Sequence, residues 1–258
     1  MIIYTRKAVT CMIDFAVYSN PGGREVNEDY ISVFADDGRF CFVIADGLGG
    51  EGSGDMASRF VCNHTVAIAE KAESFGSDFL DHCFQRIQTN LLRAKEELFI
   101  TQGMTSTLSI LTIEDEKASW GHIGDSRIYC FDAEGMVSVT PDHSLAQFMI
   151  DSGMSDVTDA RLHPDRSTLM AAMGMNTNDD AYEIDTIGDQ LVSARSFLMC
   201  TDGFWQYVKE DDMVSILAAE PSAEKALSNM VKLAEERAEG EDRDNISAVL
   251  VRFFPDDN

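Results

Sequence analysis

Phe40-Cys41-Phe42-Val43-Ile44-Ala45-Asp46-Gly47 is an apolar run that ends in Asp-Gly, and Ser196-Phe197-Leu198-Met199-Cys200-Thr201-Asp202-Gly203 repeats that pattern far along the chain. Each run is short and bounded by turn residues, so each reads as a buried strand. Each delivers a carboxylate where the chain is expected to leave the core. Asp242-Arg243-Asp244-Asn245 immediately precedes another apolar run, Ile246-Ser247-Ala248-Val249-Leu250-Val251, and Glu28-Asp29 precedes Tyr30-Ile31-Ser32-Val33-Phe34. Carboxylates at the ends of several core strands imply one shared acidic site. Such a cluster repels itself unless cations sit in it, and all-oxygen ligands suit hard ions such as Mg²⁺ or Mn²⁺. A lone Asp-Gly is more often a hairpin turn; the site reading rests on the recurrence.

Further strands are expected at Met12–Tyr18, Thr105–Ile113, Ala118–Ile123, Arg127–Phe131, Met136–Thr140 and Tyr182–Ile187, with a final strand over Ile246–Phe254. Ser53–Glu73 reads as a helix with Met56, Phe60, His64 and Ala67 at three- or four-residue spacing. Asp78–Phe99 reads as a second, with Leu80, Phe84, Ile87, Leu91, Ala94 and Leu98 on one face. Ser144–Ser152 suggests a short helix, and Asp211–Ala219 and Ala223–Glu239 two more. Gly153 to Ser167 is polar, contains Pro164 and reads as a surface loop or flap. Strands and helices come in blocks rather than alternating, which favours packed antiparallel sheets with helices outside over a doubly wound parallel sheet.

The 258 residues hold 20 basic and 45 acidic side chains, a net charge of −25. That charge disfavours nucleic acid and anionic membranes as partners of the bulk surface, and it also promotes solubility. The six cysteines form no CxxC pair and mostly sit in apolar runs, which fits buried reduced thiols in a cytoplasmic protein rather than zinc or disulfides. No signal peptide or membrane span is evident.

The carboxylates could hold divalent cations that activate water and orient a phosphoryl group. Arg24, just before Glu28 and Asp29, has the planar cation that phosphate favours. Arg24-x-x-Asn27-Glu28-Asp29, Ala45-Asp46-Gly47-x-Gly49-Gly50, Gly103-x-Thr105-Ser106, Gly124-Asp125-Ser126-Arg127, Asp142-His143-Ser144, His163-Pro164, Thr201-Asp202-Gly203 and Asp244-Asn245 follow one another along nearly the whole chain. In that order they resemble the metal-dependent type-2C serine/threonine protein phosphatases, the PPM family, in their compact bacterial form.

The resemblance implies an α+β fold: an αββα sandwich of two antiparallel sheets with helices on both outer sides. It implies a single catalytic domain over 1–258, with a flap near 153–175. Asp46 would bridge two metals and the Gly47 carbonyl would bind one of them. Asp202 and Asp244 would hold the first ion, and Glu28 would serve the second. Asp29 and Asn245 would stand behind the ligands, Asp29 orienting bound water. Arg24 would grip the substrate phosphate, and Asp125, with Asp202, would hold a weaker third ion. The expected activity is hydrolysis of phosphoserine and phosphothreonine in proteins, by a metal-activated water and without a phospho-enzyme. The expected partners are phosphorylated proteins, including a Ser/Thr kinase and its substrates, for a monomer with no attached sensor domain.

Some positions depart from the family pattern. Leu48 stands where some members carry a histidine proposed as general acid, Glu51 where bacterial relatives often have histidine, and Asp55 where glutamate is usual. Proton delivery to the leaving oxygen is therefore left unassigned. Glu51 and Asp55 equally suit the positive end of the Ser53 helix. His64, His82 and His122 are not spaced as a ligand set, and His143 and His163 read as structural. Met154, Met173 and Met175 read as gap fillers, with a substrate rim as the minority reading. An alternative in another class is a module that binds phosphoproteins without turning them over.

Overall fold

The computed structural model describes residues 2–7, 11–49, 53–76, 78–100, 103–114, 117–176, 181–187, 195–240 and 242–255. The described elements begin with β1 (Ile2–Lys7), β2 (Cys11–Asn20), β3 (Asp29–Asp36), β4 (Arg39–Leu48), α1 (Ser53–Ala69) and α2 (Phe79–Glu97). Then come β5 (Thr105–Ser106), β6 (Leu108–Glu114), β7 (Lys117–Ile123), β8 (Arg127–Asp132), β9 (Gly135–Val139), α3 (Leu145–Asp151) and a single 3-10 turn at Ala160–Leu162. β10 (Glu183–Ile187), β11 (Ser196–Cys200), α4 (Asp202–Trp205), α5 (Glu210–Ala219), α6 (Ala223–Arg237) and β12 (Ile246–Pro255) complete the order.

The strands make two sheets, β1-β2-β12-β11-β8-β9 and β10-β7-β6-β4-β3, with β5 added to β4. Strand alternation explains the layers. Along β4, Phe40, Phe42 and Ile44 face the other sheet, while Cys41, Val43 and Ala45 face α1 and α2. Along β12, Val249, Val251 and Phe253 point inward, while Ala248 and Leu250 meet α4, α5 and α6. These strands are covered on both faces, which is why they read as continuous apolar runs. Between the sheets, Phe15 meets Phe42 edge to face at 5.0 Å and Phe197 packs on Trp120 at 5.6 Å. The expected αββα layering is what forms.

Several expectations need correction. β1 has no counterpart in the sequence reading. The buried face of α1 is not Met56, Phe60, His64 and Ala67. It is Gly54, Ala57, Ser58, Val61, Cys62, Thr65 and Ala69, and Met56 is 45% exposed. Small side chains let this helix lie close to the sheet, so bulk misidentified the face. α2 buries Leu80, Phe84, Ile87 and Leu91 as expected, but Leu98 is outside and exposed. The run Thr105–Ile113 is broken at Thr107 into β5 and β6. β4 does not end at Asp46: it runs on to Leu48, and Gly47 and Leu48 pair with β5.

Candidate metal centre

β3 and β4 place Asp29 directly opposite Asp46 in the antiparallel register. β11 and β12 are neighbours, with Cys200 opposite Ala248, so the residues at their ends, Asp202 and Asp244, converge. A Cβ on Gly203 would stand 2.0 Å from the Asn245 carbonyl oxygen, so the two strand ends touch backbone to backbone. Gly47 is as tightly placed: a Cβ there would meet the Gly54 carbonyl oxygen at 2.0 Å and that of Glu28 at 2.9 Å. Glycine is required here by close approach, not by an unusual φ.

A cavity of about 400 Å³ results, lined by Glu28, Asp46, Gly47, Asp125, Asp202 and Asp244, with Arg24 and Ser167, a residue of the expected flap, also in its wall. All six expected ligands are thus brought together from separate segments. The Asp46 backbone is fixed on both sides: its N–H donates to Thr107 Oγ1 (2.8 Å), and its carbonyl accepts from the Thr107 N–H (2.8 Å) and Ser106 Oγ (2.9 Å). This is what the break at Thr107 accomplishes. Asn245 ties two segments together: its Oδ1 accepts the Glu28 N–H at 2.7 Å, and its Nδ2 donates to the carbonyls of Pro21 (2.9 Å) and Val26 (3.1 Å). Asn245 also lines the cavity wall. Asp29 is buried beside the cavity, its Oδ2 accepting from Thr201 Oγ1 at 2.9 Å.

A support for Asp125 had no sequence signal of its own. Trp205 Nε1 donates to the Asp125 carbonyl oxygen at 2.9 Å, and the Arg127 guanidinium lies 3.6 Å above the Trp205 ring. Arg127 is held in turn by two bonds of 2.7 Å to Asp142. Arg161, from the expected flap, donates to the Trp205 carbonyl (3.1 Å) and to Glu210 Oε1 (2.6 Å). Arg127 and Asp142 lie inside the quoted motifs. Trp205 and Arg161 lie in none, and only contact reveals them.

The electrostatics are those of mutual repulsion. Burial first, then Asp29, Asp202, Asp125 and Asp244, raise the Asp46 carboxyl well above the usual range. Burial and then Asp202 do the same to Asp125. Burial lifts Asp29 to about 7, and burial followed by Asp244 lifts Asp202 to about 6. Glu28 is raised by burial, then by Asp55 and Asp244. Asp29 Oδ1 is buried without a hydrogen-bond partner. An orphaned carboxylate oxygen beside carboxyls that raise one another, in a cavity walled by oxygen donors, is the donor set of hard divalent cations. The residues present fit such ions.

Other expected residues fall less simply. Arg24 lies at the cavity but pairs with Asp244 and Asp242. Met173 is 1% exposed and bridges to Ser106, so it belongs to the core rather than a substrate rim, while Met154 is exposed. Gly50 and Glu51 lie outside the described residues. Asp55 faces Arg59 at 3.9 Å in the first turn of α1. His122, read as outside any ligand set, and His143, read as structural, stack with ring centroids 4.7 Å apart. The five cysteines with described side chains are buried and free.

The chain is 28% identical over 238 residues to the serine/threonine phosphatase stp of Listeria innocua, covering 88% of this chain and 90% of that protein. The crystal structure of the Mycobacterium tuberculosis serine/threonine phosphatase PstP/Ppp is 25% identical with a TM-score of 0.77, covering 93% of this chain and 97% of that one. A structure of the PstP catalytic domain in complex with two manganese ions shares the fold, with a TM-score of 0.79 at 21% identity, covering 95% of this chain and 100% of that one. No helix among the described residues is long and apolar enough to cross a membrane. The sequence profile of protein phosphatase 2C matches residues 19–250, and the chain belongs to this family of metal-dependent serine/threonine protein phosphatases.

Proposed function

We propose that the carboxylate cavity is the catalytic centre, and that it dephosphorylates phosphoserine and phosphothreonine in proteins with two divalent ions, Mn²⁺ or Mg²⁺, and a weaker third. The observation that carries this is the convergence of five carboxylates and one arginine from separate segments on one cavity of about 400 Å³. When bound, the ions supply an attacking water at neutral pH and positive charge for the phosphoryl oxygens. Asp46 would be shared between the two core ions, with the Gly47 carbonyl on one of them; Asp202 and Asp244 would hold the first ion, and Glu28 would serve the second. Asp125 serves the third. Asp29, behind them, would accept hydrogen bonds from bound water through its Oδ1, which is buried without a partner. Arg24 takes the substrate phosphate on its guanidinium, a planar donor fork suited to phosphate. No histidine lines the cavity among the described residues, so proton delivery to the leaving oxygen is not assigned to one.

The finer reading is a monomeric, cytoplasmic catalytic domain over 1–258, acting on a Ser/Thr kinase and its substrates. The flap near 153–175 borders the site through Ser167 and influences which phosphoproteins enter. Hydrolysis of p-nitrophenyl phosphate and of a phosphothreonine peptide, with Mn²⁺ and with excess chelator, tests the central claim. Turnover with Mn²⁺ that vanishes with chelator supports it. Binding of the phosphopeptide without turnover in Mn²⁺ would leave the non-catalytic module standing instead.

A further inference from the structure

His122 on β7 and Glu183 on β10 are directly opposed in the antiparallel register, so their side chains share one face of the sheet. His143, from the segment between β9 and α3, stacks on His122 at 4.7 Å and brings its Nε2 within 3.8 Å of Glu183 Oε1. One donor atom from each residue lies within 4.8 Å of the other two. Glu183 is 60% exposed in its side chain and free to close the remaining gap, and imidazole and carboxylate bonds to zinc are about 2.0–2.2 Å long.

The histidines are prepared unequally. His122 Nε2 lies 2.8 Å from the Pro141 carbonyl oxygen. A carbonyl only accepts, so the proton sits on Nε2 and Nδ1 presents a lone pair. Metal-binding histidines are oriented in this way, with the other ring nitrogen donating to a carbonyl. Burial holds His122 down at about 4 and lowers His143 as well. Both rings are therefore neutral at pH 7, the form that ligates. A cavity of about 200 Å³ bordered by His122, Pro141 and Glu183 leaves room for a ligand from solvent.

We propose that His122, His143 and Glu183 form a second metal site, separate from the carboxylate cavity, for a borderline transition-metal dication such as Zn²⁺ or Cu²⁺. Imidazole nitrogen selects these ions, whereas the all-oxygen cavity suits Mg²⁺ and Mn²⁺.

Occupancy acts on Asp125 through His143. The Gly124 N–H donates to His143 Nδ1 at 3.2 Å, so the neutral ring carries its proton on Nε2. Ligation through Nε2 requires the other tautomer. The proton moves to Nδ1 with none released, and two N–H groups then face each other. Gly124, at φ +103°, loses its acceptor next to Asp125. The metal therefore loosens the Asp125 turn and inhibits. Binding itself does not depend on the phosphatase reading; only the inhibition does.

The test uses protein saturated with Mg²⁺, which fills the carboxylate cavity with a magnetically silent ion. One equivalent of Cu²⁺ should give an electron paramagnetic resonance spectrum with hyperfine structure from two imidazole nitrogens. His122→Gln should abolish that pattern. Glu183→Gln, at an exposed position, should keep the fold and basal turnover, bind Zn²⁺ at least tenfold more weakly and lose sensitivity to added Zn²⁺. Zn²⁺ should shift the Gly124 amide in a ¹H–¹⁵N spectrum. A copper signal from oxygen ligands alone, or a nitrogen pattern that survives His122→Gln, overturns the site. Zn²⁺ binding with an unmoved Gly124 amide overturns the coupling to Asp125.

Discussion

Arg24 Nη2 lies 3.3 Å from Asp244 Oδ2, so the residue assigned to the substrate phosphate is paired with a residue assigned to a metal. Asp242 adds a looser contact at 3.7 Å. The Arg24 and Asp244 side chains are 47% and 43% exposed, and exposed pairs of this kind contribute about 0–1 kcal/mol. The guanidinium is thus lightly held, and its proposed transfer from Asp244 to a substrate phosphate would cost little.

Arg24→Ala should raise KM more than it lowers kcat, because a phosphate clamp acts largely on the ground state. It should not weaken divalent metal binding, since it removes a cation that competes for Asp244. Steady-state kinetics on a phosphopeptide, beside calorimetric metal titration, reads both. An unchanged KM would remove Arg24 from the phosphate site.

Asp46→Asn should leave the strand intact, because the Asp46 hydrogen bonds in the structure are made by its backbone to Ser106 and Thr107. As the proposed bridge it would lose a charge shared by two ions, so kcat should fall about a hundredfold or more, some 2.7 kcal/mol of barrier. Single-turnover kinetics at saturating Mn²⁺ checks this. A variant within threefold of the parent would make Asp46 a structural residue only.

Asp125→Ala should retain two tight metals and lose the weakest, with turnover on phosphoproteins sharply reduced. Trp205→Phe tests the support of the same turn: it keeps most of the ring under Arg127 but deletes the 2.9 Å bond to the Asp125 carbonyl. It should reproduce part of the Asp125→Ala defect and cost about 1–3 kcal/mol of stability, since a buried acceptor is left unpaired. Metal titration and chemical denaturation of the two variants separate these effects. Full turnover in Trp205→Phe would mean that the turn holds its shape without the indole.

The metal-free protein should lose stability as pH rises. Asp29 and Asp202 stand at about 7 and about 6 when folded, against about 3.9 in an unfolded chain. Between those values the folded state binds more protons, so their contribution is full below about pH 4 and is lost as pH climbs through 6 and 7. In chelator, the melting temperature should fall from pH 5 to pH 8. Mn²⁺ should restore more at pH 8 than at pH 5, because it favours the ionised carboxylates. Asp29→Asn should flatten the metal-free profile. A metal-free melting temperature that increases over this range would contradict the raised carboxyls.

Strands buried on both faces announce themselves as unbroken apolar runs, so β4, β11 and β12 and the carboxylates near their ends were legible from residue order alone. The blocks of strands and helices were enough to reject a doubly wound sheet, and the ordered motifs contained Glu28, Asp46, Gly47, Asp125, Asp202 and Asp244, which line one cavity. α1 was legible as a helix but not in its orientation, because hydrophobic bulk marks a face only when bulk is what packs. Its buried face is chosen by small residues that admit the sheet.

The sequence by itself determined which elements form and which carboxylates they carry, because periodicity and turn chemistry act over a few neighbouring residues. Only the tertiary structure decided who meets whom. The register of β3 on β4 sets Asp29 against Asp46, the stacking of Arg127 on Trp205 supports Asp125, and the pairing of β10 with β7 brings Glu183 to His122. These relationships span from 17 residues, between Asp29 and Asp46, to 78, between Trp205 and Arg127. They depend on strand register and close packing, which local chemistry does not encode.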